Sequence, residues 1–302
     1  MGTIYSKEEM IIIKLEGGLG NQMFQYAFAN ILAKRNDTTL LIDANFFKLV
    51  EKKPGFTPRN FELNIFDNNY VEASQSQVSS FFDLTFLDKI KRKLGLNHPK
   101  IYNEPFFGFN QTAMNTKKPA YLKGYFQSYQ YFNGYESLIK KVFSFPLDGL
   151  DYINSELLSD IKSMKTISIH VRRGDYVQDK STQQFHGNCS LEYYFDAISL
   201  LVSKNKNSKL IFFSDDSEWV KEQFQNLQYQ KIFIDHNKNK NCWKDMFLMS
   251  SCNHNVIANS SFSWWAAWLN ENPHKTVIAP KNWFVATEKN TNYLIPTEWI
   301  RL

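Results

Sequence analysis

Residues 166–177 read TISIHVRRGDYV, an apolar run from Thr166 to His170 that leads straight into two arginines, a glycine and an aspartate. The run has the composition of a buried strand, and such strands normally end in neutral turn residues. This one delivers Arg172 and Arg173, whose planar forks match phosphate and carboxylate. An anion is the ligand class to look for. A competing reading pairs one arginine with Asp175 and leaves the other in solvent. Position opposes it, because a guanidinium at the end of a buried strand needs a hydrogen-bonded partner. Arg173-Gly174-Asp175 is also an adhesion tripeptide, but adhesion requires an exposed loop tip.

Three other stretches carry chemistry. EGGLGNQMFQYAF, residues 16–28, sets a glycine turn between a strand and a helix, a geometry that aims backbone N–H groups and the positive helix end at an anion. The glycines alone are weak: Gly18-Leu-Gly20 is followed by Met23 where a dinucleotide fingerprint has its third glycine, and a plain tight turn explains them too. NSSFSWWAAWLN, residues 259–270, opens a helix with serines that cap free N–H groups or donate to a phosphate oxygen. Trp264 and Trp268 share a helix face and read as core. In FFSDDSEW the pair Asp215–Asp216 suits a metal, but capping the next helix or holding an arginine is the favoured reading.

The elements that position these residues fall into two halves. In the second half, TISIH, KLIFFSDD, KIFID, NVIANSS and TVIAP alternate with helix-patterned segments, which predicts a doubly wound parallel α/β domain. Ligands in such sheets bind at the carboxyl ends of strands, where His170 to Asp175, Ser214 to Asp216, Asp235 and Asn259 to Ser261 fall. The first half opens as strand MIIIKLE, glycine turn, helix and strand TTLLID. From 46 to 135 prolines interrupt every periodicity, so short helices and loops are expected there, as in a substrate-recognition insertion. SFPLDGLDYINSE marks a boundary near 145–160, giving domains of 1–155 and 156–302.

Composition narrows the classes. With 302 residues and 43% hydrophobic content the chain supports a large core and two ordinary domains. A formal charge of +5 with scattered lysines indicates neither a nucleic-acid groove nor an anionic-membrane patch. Three cysteines without CxxC spacing suggest no disulfide framework and no structural zinc. The histidines show no ligand spacing. No apolar run reaches the roughly 20 residues of a spanning helix, and the N-terminus lacks signal-peptide features. The expectation is a cytoplasmic protein.

GGLGNQMFQYA, HVRRGDYV, FFSDD and ANSSFSWWAAWL, with GYFQSYQYF and HGNCSLEYY, stand in an order and spacing that resemble the α-1,2-fucosyltransferases of glycosyltransferase family 11, bacterial members above all. The resemblance runs from about Ile11 to Trp283. It implies a GT-B-type fold, two Rossmann-like domains facing a central cleft, with GDP-β-L-fucose as donor, inversion at the anomeric carbon, and neither metal nor other cofactor. The acceptor implied is a terminal β-galactoside modified at O2, in surface glycan or O-antigen synthesis, with peripheral contact to a lipid-linked glycan left open. Carried over residue by residue, Arg172 would grip the β-phosphate and His170 would lie beside guanine. Gly17, Gly18 and Gly20, with Asn21 and Gln22 as catalytic candidates, would face the diphosphate and the fucose carbon. Ser261 would contact phosphate and Asp245 would read guanine; Arg173, Asp175, Tyr176 and Ser260 complete the substrate-binding set.

The general base stays unassigned, because Glu16, Asp175, Asp179 and His186 all qualify by type and a dissociative transition state needs little help. Two other classes compete. A nicotinamide-dependent oxidoreductase draws on strand, glycine turn, helix, strand and Asp43; a carbohydrate-binding or adhesion protein draws on aromatic richness and the RGD tripeptide.

Overall fold

The computed structural model describes residues 9–48, 59–96, 98–174, 187–285 and 291–302. The chain divides into two compact units: Met1–Lys52, Pro58–Ser144 and Asn292–Leu294 form the first, and Lys53–Thr57, Phe145–Thr291 and Ile295–Leu302 the second.

In the first unit, β1 (Met10–Lys14) is followed by the helix Leu19–Arg35 and β2 (Thr39–Asp43). β3 (Lys100–Asn103) and β4 (Ala120–Lys123) complete a parallel sheet of order β2-β1-β4-β3, with Ile11 opposite Leu40 on one side and Ala120 on the other. Met10 to Ile13 are all buried, so β1 is covered on both faces and reads as a continuous apolar run instead of an alternating one. The helix is buried nearly all round; Phe28 stacks on Phe126 at 4.1 Å between centroids, and Lys34 and Arg35 sit at its negative end. β3 and β4 depart from the expectation of helices and loops alone between 46 and 135. Each has four residues, too few to show a period, and three of the four in β3 are exposed on the sheet edge. The short helices predicted there are present, at Gln75–Phe82, Phe86–Lys93 and Gln111–Met114.

The second unit contains β5 (Thr166–Val171), β6 (Lys209–Ser214), β7 (Lys231–Ile234), β8 (His254–Val256), β9 (Val277–Ala279) and β10 (Ile300–Arg301). All pairings are parallel, in the order β10-β9-β8-β5-β6-β7. Numbered from β5, that is 3-2-1-4-5-6 read from the β7 edge, the dinucleotide-binding order. The helices Leu191–Lys204, Ser217–Phe224, Cys242–Ser251 and Ser261–Leu269 lie where the apolar spacing put them. The strands are shorter than their apolar runs, since the polar tails of KLIFFSDD and NVIANSS are loops. β10 was not foreseen; two residues have no periodicity to read. Trp264 and Trp265 are fully buried, and Trp264 stacks on Trp268 at 6.2 Å. Truncating one such ring typically costs about 3–5 kcal/mol, so these tryptophans are scaffold. The chain is thus α/β with two parallel Rossmann-like sheets, as a GT-B protein requires. Among the described residues no helix is long and apolar enough to cross a membrane.

Candidate functional site

The second sheet has its topological switch point between β5 and β8, from which the chain winds to opposite edges. Ligands bind at the carboxyl ends of that strand pair, and the residues emerging there are Arg172 to Gly174 from β5 and Ile257 to Ser261 from β8. Asp215 and Asp216, at the end of neighbouring β6, organise the arginine motif. Arg172 Nη1 lies 2.9 Å from Asp215 Oδ2, while the Arg173 and Gly174 backbone N–H groups donate to the same carboxylate at 2.9 and 3.0 Å. Arg173 Nε pairs with Asp216 Oδ2 at 3.2 Å, and its guanidinium lies 3.8 Å from the centre of the Trp219 ring. Asp216 also caps the helix Ser217–Phe224 through the Trp219 N–H. Gly174 has to be small: a Cβ there would come within 2.5 Å of Asp215 Oδ2. Arginine holding and helix capping, the favoured readings of the aspartate pair, are both present. A pinned Arg173 does not make an adhesion tip.

His170 precedes the arginines on β5 and is 5% exposed. Burial pushes its imidazole down to about 4, with Asp215 opposing the shift and Arg172 adding to it, so the ring is neutral at neutral pH. Its Nδ1 is buried without a partner, and the ring lies 5.8 Å from that of Phe262. A buried polar atom left unpaired costs about 1–3 kcal/mol, a penalty a ligand atom at the switch point would relieve. Ser260 caps the helix Ser261–Leu269 by accepting from the Phe262 N–H, and Ser261 forms its first residue.

Asp245 stands in the first turn of Cys242–Ser251, on the same carboxyl edge, after β7. It is half-buried, and burial pushes its carboxyl up to about 7 although Asn237 Nδ2 donates to it at 2.8 Å. Asn237 exchanges hydrogen bonds with Asn154, which is held by Asp151. Asp151 caps the helix Tyr152–Ser163 and takes the buried Lys244 ammonium at 2.7 Å, which holds its carboxyl below the usual range. A chain of amides and one ion pair thus fixes the position of Asp245.

The glycine turn belongs to the first unit. Gly17 adopts φ +82°, a left-handed value in which a side chain would be strained, and a Cβ would meet Asn21 Nδ2 at 2.6 Å. Gly18 precedes the helix and Gly20 lies in its first turn. The Leu19 N–H donates to Glu62 Oε2 at 2.8 Å. A carboxylate of the same unit therefore takes one N–H of the turn. Gln22 is fully buried: its Nε2 donates to the Gly17 and Asn60 carbonyls and its Oε1 accepts from the Glu62 N–H. That amide is thereby held at both ends. Asn21 Oδ1 accepts from Gln127 Nε2 at 2.8 Å. Asp43 accepts from the Tyr121 hydroxyl and the Asn45 N–H, and Met23 is buried, so neither acts as in a dinucleotide fingerprint.

His170, Arg172, Arg173, Ser260, Ser261 and Asp245 thus share one edge of one sheet, whereas Gly17 to Gln22 gather at the end of β1 in the other unit. Asp175 and Tyr176, with Asp179 and His186, lie outside the described residues. Glu62, Asp151, Asn154, Asn237 and Trp219 were missed. Each acts through a partner far along the chain; for Trp219 alone a usable signal existed, its place one turn into a helix capped by Asp216.

The family model for glycosyl transferase family 11 matches residues 3–302. An α-1,2-colitosyltransferase of Escherichia coli is 33% identical over 299 residues, covering 97% of this chain and 99% of that one. The O-antigen biosynthesis glycosyltransferase WbnK, also of Escherichia coli, is 32% identical over 305 residues, with 95% and 99% covered. Human galactoside α-(1,2)-fucosyltransferase 1 is 30% identical over 104 residues, 34% of this chain and 28% of that one. Matched along almost its entire length, and carrying the arginine motif at the switch point of a dinucleotide-type sheet, the chain belongs to glycosyl transferase family 11.

Proposed function

We propose that the protein transfers L-fucose from GDP-β-L-fucose to O2 of a terminal β-galactoside, with inversion, in the synthesis of a surface glycan or O-antigen. The observation that carries this reading is the presence, on one carboxyl edge, of a guanidinium pinned by Asp215 together with a positioned carboxyl at Asp245. Guanine offers N1–H and the 2-amino group side by side, and a carboxylate accepts both; adenine has no such pair. As the glycosidic bond breaks, negative charge grows on the departing diphosphate and positive charge on the ring carbon. A fixed guanidinium and the Ser261 helix start lower that barrier. Arg173 acts at one remove, by holding the loop. The 46–135 insertion of the first unit is assigned to acceptor recognition. No base is assigned to the acceptor hydroxyl.

The names of the relatives agree on an α-1,2 linkage and differ on the sugar. A colitosyl donor, which lacks the hydroxyl at C3 of fucose, is therefore the second reading. Thermal melts with GDP, GDP-fucose, UDP and NADP test the nucleotide, because only a ligand of the native state raises stability; GDP and GDP-fucose are expected to raise it. Transfer of labelled fucose to lactose, compared with lactose blocked at galactose O2, tests the linkage. A kcat/KM for the 3-deoxy donor more than about tenfold above that for GDP-fucose, roughly the discrimination one hydroxyl contact supplies, establishes the colitosyl reading.

Metal dependence gives a separate prediction. In this mechanism Asp215 is engaged by Arg172, Arg173 and Gly174, and Arg172 supplies the cation at the diphosphate. Chelation by EDTA is expected to leave the rate nearly unchanged. Activity that collapses and returns with Mn²⁺ transfers the role to the aspartate pair.

A further inference from the structure

The segment from Phe82 to Leu96 turns its apolar side chains outward. Phe86 is 77% exposed, Leu87 67% and Leu94 66%, and Phe82, Ile90 and Leu96 are exposed as well. Phe86, Ile90 and Leu94 recur at four-residue steps with Leu87 beside them, so they form one stripe along the helix Phe86–Lys93 and its end. A globular helix packs such a stripe into the core. This one is held the other way round: the residue it buries is Asp88, which closes a capping box with Thr85, accepting from the Thr85 N–H at 3.0 Å while its own N–H donates to Thr85 Oγ1 at 3.2 Å. The helix is fixed by its polar start, and its apolar face stays in water.

Cations border that face. Lys89 and Lys93, also four apart, run along one margin of the stripe and Lys91 along the other, with Arg92 adding to the charge. At the end of the preceding helix, Gln75–Phe82, the exposed Phe82 ring has the Lys123 ammonium 4.7 Å from its centre. An eight-residue helix is about 12 Å long, far short of the roughly 30 Å hydrocarbon core, so it cannot span. Apolar residues flanked on both sides by long cationic chains complement a surface with anionic headgroups over hydrocarbon. Scattered lysines in the sequence argued against an anionic-surface patch; the fold gathers these ones around exposed hydrophobes.

We propose that the Phe86–Leu94 face docks the first unit onto an anionic lipid bilayer surface, with Phe86, Leu87, Ile90 and Leu94 entering the acyl boundary and the lysines meeting the phosphates. The partner is a bilayer in preference to a second protein because charge and apolarity are layered around one helix axis, as an interface between water and lipid is. The test is flotation of the full chain with phosphatidylcholine vesicles, with and without phosphatidylglycerol. Binding is expected only where phosphatidylglycerol is present, and it should weaken as salt rises. Phe86→Ser with Leu87→Ser should abolish it, and Lys89→Glu with Lys93→Glu should weaken it more than about tenfold, at roughly a fivefold loss for each cation removed. Both variants should keep the wild-type melting temperature and its rise on addition of GDP, since the edge assigned to the nucleotide belongs to the sheet of the second unit. Equal binding to both vesicle types, no binding to either, or a dimer in solution that the Phe86→Ser, Leu87→Ser variant dissociates would each overturn the proposal.

Discussion

Arg172→Lys is expected to lower kcat by about 10²- to 10³-fold, the usual effect of removing one electrostatic donor aimed at developing charge, while acceptor KM changes little. The charge survives the substitution, so the loss has to come from geometry. In the native site Asp215 takes Nη1 at 2.9 Å and thereby sets the plane of the guanidinium. A lysine ammonium is a point charge on a flexible stem; beside the same carboxylate it folds onto Asp215 and no longer presents an oriented fork to the diphosphate. Arg173→Lys supplies the contrast. It loses the Trp219 stacking and the Nε bond to Asp216, contacts that at a partly exposed site are worth about 1–2 kcal/mol together, and so should lower the melting temperature more than the rate per folded molecule. Kinetics and thermal melts on both variants check this. A folded Arg172→Lys enzyme with wild-type kcat removes Arg172 from the leaving group.

The distinction between the two arginines shows what a sequence can carry. That a strand hands two guanidiniums to a sheet edge follows from the run TISIHVRR, because apolarity and β-branching are local properties. The aspartates that receive them were legible for the same reason: FFSDD ends the neighbouring strand, and parallel neighbours bring their carboxyl ends together. Glu62 was not legible. Its bond to the Leu19 N–H spans 43 positions and exists only once the chain returns over the glycine turn, so the motif alone could not show it. The partners of Gln22 were hidden likewise, since the Asn60 carbonyl and the Glu62 N–H lie 38 and 40 positions away. β3 and β4 escaped because four residues hold no measurable period, and Asp245 entered through family resemblance alone, its amide support being drawn from residues 154 and 237.

Asp245 carries the other large effect, and its sign can be worked out. Burial raises the carboxyl to about 7, against about 3.9 in an unfolded chain. In the free protein this group favours folding most below the unfolded value, and that contribution is lost as pH rises through 7. On the proposed assignment guanine reverses the preference, because two donors facing one side chain require the ionised acceptor. Binding of GDP below pH 7 must then expel a proton from Asp245, and Kd should weaken by up to about tenfold for each pH unit below 7. His170 adds nothing to this slope near neutrality, since its ring stays neutral down to about 4. The phosphate of GDP titrates in the same range, so the comparison has to be made against Asp245→Asn, which keeps an oxygen for Asn237 and has no proton to lose. Calorimetry at pH 6 in buffers of different ionisation enthalpy should show wild type releasing more protons than the variant. Asp245→Ala should weaken GDP binding by about 1.5–3 kcal/mol at neutral pH, the range for a hydrogen bond to a charged group, with the fold retained. Equal proton release from wild type and Asp245→Asn, together with wild-type affinity in Asp245→Ala, would place guanine elsewhere on the sheet edge.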